Sequence, residues 1–486
     1  MLEHSRALLF AEGLTATPRT YLEQLLDESI VAVSVDPSMP HSELAVRVLL
    51  TTLRRSPGVL VLLSDGLSNR LIEELEAAVS SIDPSRPLRV ARSADVTGGL
   101  RVCVGMLGDQ ESIRIVPEGY GAHIAASGTV IRPARPGNPL GAVYGAALGA
   151  AEVFKHTARV ITGRRVEHRH LQFCPVMLSG DLNAAPDSDY RDQLDMALIG
   201  AGAIGSGIAL ILSELPFSGR LLVADPERYG RENRGTYSLG GEAESIARPL
   251  KVDVIRSALL EFDVSTYAGR VEDLIVDIDS GDASWSPLCM TALDTARARR
   301  AAQRLWPDHL IDAGTGDTML GFSEYRHGVD PCLMCLYREP SNGPSGTERV
   351  ARALGLSLDL LAEGDTILSA EHLRGLSDEH RLKLQPHLGT AVCGLARATG
   401  LSEIGNDDYM PSVPFISLQA ACLAVGRLIA TKLRVAPTAN FVQYDGLIGP
   451  QSASAVAMKR LTDCMCFARA ESIESVRKHR KSLRST

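Results

Sequence analysis

One stretch of the chain, Gly200-Ala-Gly202-Ala203-Ile-Gly205, could cradle a phosphate. It follows the apolar run Met196 to Ile199 and opens a helical pattern running from about Ile204 to Leu215. In such a strand-turn-helix the first glycine permits the tight turn and the second lets backbone approach phosphate oxygens. The third lets helix and strand pack closely, and the helix N-terminus supplies oriented N–H groups. Asp225 ends the next strand-like run, about 25 residues past Gly200, where a carboxylate can bond ribose hydroxyls. These features suit a nicotinamide dinucleotide as well as ATP. The charged residues that follow separate the two: Asn233 and Arg234 in RENRGTY, Lys251 at the head of KVDVIRSALL, and Asp294 closing CMTALD. Helix N–H groups hold most of a dinucleotide pyrophosphate, whereas a triphosphate needs Arg and Lys to neutralise it. A carboxylate at the carboxyl end of a strand can hold Mg²⁺. In this order the residues favour ATP with Mg²⁺ over NAD.

The cysteines suggest two further chemistries. Cys332 and Cys335 form a C-x-x-C pair, and Cys464 and Cys466 form a C-x-C pair. Four thiolates suit tetrahedral zinc, and two short-spaced pairs can meet even when far apart in sequence. Cys393, in HLGTAVCGLARATGL, is either a nucleophile or a small buried hydrophobe, and His387 could favour its thiolate if the loop brings them together. Cys103, Cys174, Cys289 and Cys422 lie in or beside apolar runs and are expected in the core. His168 and His170 alternate in VEHRHLQF, for which an exposed polar strand face is the plainer reading than a metal pair.

Positioning these groups takes a large scaffold. With 486 residues the chain exceeds one hydrophobic core, and 45% apolar against 22% charged residues is ordinary for a globular protein. The formal charge of −8 gives no basic field, so no nucleic-acid partner is expected. Apolar stretches such as Ala142 to Val153 are too short and interrupted for a membrane span. The segment MLEHSRALLFAEGL lacks the apolar core of a secretory signal, so the expected location is cytoplasmic.

Residues 1 to about 160 alternate β-rich runs (Ile30 to Val35, Val59 to Leu63, Leu88 to Ala91, Leu100 to Met106) with helical patterns, but carry no glycine-rich phosphate turn. The pattern restarts at Met196, with later strands at Leu221 to Ala224, Leu288 to Leu293 and Leu310 to Asp312. An apolar helix-like stretch, Ile416 to Leu433, precedes a strand at Phe441 to Tyr444. The tail RKHRKSLRST is expected to be a solvated or frayed end.

GAGAIG, the strand ending in Asp225, ENR, Lys251, ALDTARARR, LIDAGTGDTMLGF and PCLMC together resemble the adenylation domain of the ThiF/MoeB superfamily, which includes the ubiquitin-activating enzymes. The resemblance runs from about 190 to 470. It implies an α/β fold with a Rossmann-like adenylation domain, preceded by a second, degenerate α/β half without a nucleotide motif. The implied boundaries are 1–165 for the degenerate half, 180–340 for the ATP-binding domain, 341–395 for a helical insertion leading to the catalytic-cysteine loop, and 396–486 for the part that completes the domain and zinc site. It further implies that Gly200, Gly202, Ala203, Gly205, Asp225 and Glu227 hold adenosine and ribose. Asn233, Arg234 and Lys251 would bind phosphates, Asp294 Mg-ATP, and the four paired cysteines a structural zinc. Glu227, Ala203 and Gly235 depart from the family's usual residues. The implied activity is ATP-dependent adenylation of the C-terminal carboxylate of a ubiquitin-like protein, then its capture as a thioester on Cys393 for a ubiquitin-conjugating-type partner. The layout resembles bacterial conjugation systems of antiphage defence, and family members pair as homodimers or fused halves. The alternatives are adenylation of a sulfur carrier, peptide or tRNA without a thioester, and a non-catalytic scaffold.

Overall fold

In the first third of the chain the β-branched runs form β1 (Ile30–Val35), β2 (Val59–Leu63), β3 (Arg89–Ala91) and β4 (Leu100–Val104), with helices Ser42–Arg54 and Asn69–Ile82 between them. β5 (Ile113–Glu118), β6 (Gly121–Ala126) and β7 (His170–Phe173) complete a seven-stranded sheet in the order β3-β2-β1-β4-β5-β6-β7. Neighbours are parallel from β3 to β5, and β6 and β7 add antiparallel. This computed structural model describes residues 11, 14, 19–107, 112–126, 128–159, 170–186, 189–316, 318–338, 346–362, 366–389, 392, 395, 399 and 413–483.

The second sheet repeats the scheme. Its strands are β8 (Asp192–Ile199), β9 (Phe217–Ala224), β10 (Phe262–Tyr267), β11 (Leu288–Thr291), β12 (His309–Gly316), β13 (Met319–Arg326), β14 (Phe441–Asp445) and β15 (Ser454–Val456). They lie in the order β10-β9-β8-β11-β12-β13-β14-β15, parallel as far as β12 and antiparallel beyond. Counted from the start of each sheet, the first seven strands have the same order and the same directions. Each sheet also has a 19-residue helix between its sixth and seventh strands, Pro139–Thr157 in the first and Pro414–Lys432 in the second, and each helix has proline in its first turn. The chain is therefore α/β, with two Rossmann-like halves.

Those two helices are apolar on nearly every side, as core helices must be. They meet at Phe154 and Phe415, whose ring centroids are 5.2 Å apart. The Tyr144 and Tyr444 hydroxyls are 3.0 Å apart, and that of Tyr444 donates to Gln419 Oε1 at 3.1 Å, so these buried polar atoms have partners. Pro414–Lys432 is long and apolar enough to cross a membrane, yet 94% of its apolar window is buried inside the protein. The four cysteines expected in the core are all buried.

The basic tail departs from expectation. Its residues 477–483 lie on the helix Ala470–Leu483, with Arg477 and Arg480 buried. Arg477 donates to the carbonyls of Trp306 and Pro307 at 2.9 and 2.7 Å, and Arg480 to those of Arg304 and Leu305 at 2.7 and 2.8 Å. The charge run is a set of caps for carbonyls just past the helix Ala296–Gln303, where a cation is favoured.

The chain divides into two units, Met1–Leu293 with Ala301–Cys335 and Pro411–Thr486, and Asp294–Arg300 with Leu336–Met410. Both sheets belong to the first unit. The second is helical, with Gly346–Leu354, Leu358–Ala362 and Asp378–Leu384 around a small core that includes Leu354, Leu368, Leu373 and Leu384. Within it Arg299 lies over the Tyr337 ring, 5.2 Å from its centroid, and donates to its hydroxyl at 3.1 Å.

Candidate functional site

The glycine turn stands at the end of β8, between β9 on one side and β11 on the other. In an open parallel sheet the strand order reverses here, and a crevice opens outside the strand ends. Each glycine of the turn meets a different demand. Gly200 has φ 97°, and a Cβ on it would stand 2.5 Å from the Ala292 carbonyl oxygen. A Cβ on Gly205 would lie 2.1 Å from the Gly200 oxygen. One on Gly202 would meet nothing within 4 Å, so the turn leaves open space there. Gly202 is the N-cap of helix Ala203–Glu214, whose first N–H groups have no carbonyl partner within the helix.

Asp225 braces this turn. Its Oδ2 accepts the Ala201 N–H at 2.7 Å and its Oδ1 the Glu227 N–H at 2.8 Å. Burial pushes its pKa up to about 6, against the opposing pull of the Lys251 ammonium. Lys251 is itself buried and pairs with Glu227, whose carbonyl accepts the Lys251 N–H at 2.9 Å. Asp225, Glu227 and Lys251 thus gather beside the turn.

The loop that carries Asn233 and Arg234 leads elsewhere. Asn233 Oδ1 accepts the Gly230 N–H at 2.8 Å and so caps the short helix Arg231–Gly235. The Arg234 guanidinium donates to the Ile82 carbonyl of the first half at 2.8 Å and pairs with Glu242. Asp294, just past β11 in sequence, belongs to the smaller unit, and Cys393 lies outside the described residues. Two features escaped sequence reasoning. Tyr237 is fully buried, close enough to Asp225 and Glu227 for their charges to add to the effect of burial in holding its pKa well above 10. Its hydroxyl has no hydrogen-bond partner among the described residues. Thr291, at the end of β11, donates to buried Asp312 at 2.6 Å. The aromatic close of RENRGTY was the available signal for Tyr237.

The two cysteine pairs meet. Cys332 Sγ is 3.8 Å from Cys335 and 3.5 Å from Cys464, and Cys335 is 3.5 Å from Cys466. All four sulfurs lie within 4.8 Å of one another. A tetrahedral ion with Zn–S bonds of about 2.3 Å would set its sulfurs about 3.8 Å apart, so the cluster fits zinc, and the separations are too long for disulfides. Arg460 anchors the surrounding loops, donating to Gly328 O at 3.0 Å and to Cys466 O. A closed set of four thiolates leaves no position for substrate, so an ion here would serve folding.

At the far edge of the first sheet, His123 joins buried Glu118 at 2.6 Å and His170 at 2.7 Å. His170 is therefore the outer end of a carboxylate–imidazole chain. His168 lies outside the described residues.

No protein-family model and no curated protein matches the chain. Among solved structures it is similar to E. coli MccB crystallised with SeMet MccA, at 12% identity and a TM-score of 0.37, over 73% of this chain and 97% of that one. It is also similar to the microcin C7 biosynthetic enzyme MccB in complex with N-formylated MccA, at 14% identity and a TM-score of 0.35, over 73% of this chain and 98% of that one.

Proposed function

We propose that the chain is an ATP-dependent adenylating enzyme of the ThiF/MoeB kind, which activates a carboxylate. The observation that carries this reading is the open space at Gly202, at the head of a helix and at the point where the strand order reverses. Backbone N–H groups there suit phosphate oxygens. Asp225 suits a ribose hydroxyl, and Lys251 brings a cation to the same end of the sheet. In the reaction a carboxylate oxygen attacks the α-phosphorus of ATP. The bond from that phosphorus to the β-phosphate bridging oxygen breaks, and pyrophosphate leaves with an acyl-adenylate remaining. Mg²⁺, which sequence order assigns to Asp294, would neutralise the leaving charge.

The carboxylate we propose is the C-terminus of a small ubiquitin-like protein, with Cys393 then displacing AMP to form a thioester and a ubiquitin-conjugating-type enzyme receiving the acyl group. This part rests on what the resemblance to the ThiF/MoeB superfamily implies for Cys393. The test is pyrophosphate exchange and intact-protein mass spectrometry with Mg-ATP and candidate β-grasp proteins. Exchange that depends on such a protein, with a thiol-labile adduct lost in Cys393→Ala while exchange persists, supports both parts. Exchange without any adduct removes the thioester step, and tighter binding of NAD than of Mg-ATP removes the whole reading.

A further inference from the structure

The half without a glycine turn reaches into the other through one buried arginine. Arg55 follows helix Ser42–Arg54, and its Nη1 donates to the Arg234 carbonyl at 2.7 Å and its Nη2 to the Gly240 carbonyl at 3.3 Å. Those two carbonyls bracket residues 235–239. Inside the bracket the Ser238 N–H donates to Ser206 Oγ at 2.9 Å. Ser206 is in the first turn of the glycine-turn helix, where its own N–H donates to the Gly202 carbonyl at 2.8 Å. Also inside it, Tyr237 packs edge-on against Tyr229, with centroids 5.0 Å apart.

The seam is held from the other side too. Arg234 returns across it to the Ile82 carbonyl. Gly241 sits so close to the end of helix Asn69–Ile82 that a Cβ there would lie 2.0 Å from the Ser81 oxygen. Contacts therefore run unbroken from Arg55, through two carbonyls and Ser238, to the helix that opens on Gly202.

We propose that Arg55 is a positioning residue for the nucleotide cradle, holding residues 235–239 against the first turn of helix Ala203–Glu214, so that the glycine-less half sets the nucleotide affinity of its neighbour. This rests on reading the cradle as a nucleotide site. A guanidinium that donates to two half-buried carbonyls makes charge-assisted bonds, and its removal takes that donor from both acceptors. The loop then loses its tether to the first half, and Ser238 is freed to move with it.

Arg54 provides the control. It too is buried, but it donates to the carbonyls of Arg86, Ser56 and Gly58 at 3.1, 3.1 and 2.7 Å, all in the first half. In the full chain, Arg55→Met should raise the Kd for Mg-ATP about tenfold. It should also speed hydrogen exchange at residues 203–208 and 235–241. Arg54→Met should lower Tm and leave affinity and exchange at those segments as in the wild type. Wild-type affinity and exchange in Arg55→Met, or an equal loss in Arg54→Met, overturns the proposal. If Arg55→Met does not fold, Arg55→Lys is measured against Arg54→Lys by the same criteria. If the wild type binds no Mg-ATP, the nucleotide reading fails, and exchange at residues 203–208 decides the positioning role by itself.

Discussion

The two halves put opposite chemistry after their first strands. β8 leads into Gly200, an open position at Gly202 and a helix N-terminus. β1 leads into Asp36, whose Oδ1 accepts the Ser38 N–H at 3.1 Å and the Ser38 hydroxyl at 2.5 Å. Pro37 and Pro40 have no N–H to offer. A Cβ on Gly105, just past β4, would be 2.4 Å from Asp36 Cβ, so the aspartate fills the space beside the end of the neighbouring strand. A turn with a carboxylate and two prolines disfavours a phosphate, and a turn with open backbone suits one. Strand order is common to both halves, so the difference lies in a few turn residues and not in the fold.

The strongest way to separate the halves is to remove metal. The four-cysteine cluster belongs to the second half, and it is the one such group among the described residues. Elemental analysis should find one zinc per chain, and a chelator should cost the second half about 5 kcal/mol or more. Hydrogen exchange should then rise around Cys332 and Cys466 before it rises in β1 to β4. Metal-free protein with unchanged protection in both places would remove the cluster's structural role.

Next in size is the turn itself. Gly205→Val should cost about 3 kcal/mol or more, because its Cβ would collide with backbone, and should abolish Mg-ATP binding. Gly202→Asp, which imports the carboxylate of the first half into open space, should change stability by less than about 0.5 kcal/mol. It should nevertheless weaken Mg-ATP binding about 100-fold. Asp36→Gly should create no second nucleotide site, since Pro37 and Pro40 still lack N–H groups. Calorimetry and urea titration of the three variants check this, and tight ATP binding by Gly202→Asp would place the phosphates elsewhere.

The effect confined to one pH window is a titration. Burial raises the Asp225 pKa to about 6, so between pH of about 4 and 6 the folded protein keeps a proton that the unfolded chain has released. Stability therefore falls as pH rises through that window, by at most about 3 kcal/mol. The difference in unfolding free energy between Asp225→Asn and wild type should grow in favour of the variant from pH 4 to 7. A difference that stays constant would mean that Asp225 titrates normally.

The glycine turn, Asp225 and the paired cysteines were legible because each obeys a local rule: glycine where a Cβ collides, an acid at a strand end, thiols at short spacing. The repeated strand order was not. β5 contains Arg114 and Pro117, and β6 is built largely of Gly and Ala, so neither shows the β-branched alternation that marks a strand. Arg234 is expected at a phosphate because its neighbours in sequence suit one. One of its partners, the Ile82 carbonyl, lies in the other half, beyond the reach of any local pattern. Arg477 and Arg480 depart from the expected solvated end because a charge run on paper does not show which carbonyls it meets.

The sheet of the second half closes late along the chain. β13 ends at Arg326 and its partner β14 begins at Phe441, whereas in the first half β6 and β7 are separated by residues 127–169. Lengthening that connection from roughly 40 to roughly 110 residues adds only about 1 kcal/mol of closure entropy. The effect on rate is larger, because β14 cannot pair until the whole intervening segment has been synthesised and the ends have found one another. During synthesis the first half can complete its sheet while the second still exposes the β13 edge. The completed half then offers the Tyr144 and Phe154 face of its long helix as a template on which Pro414–Lys432 can dock.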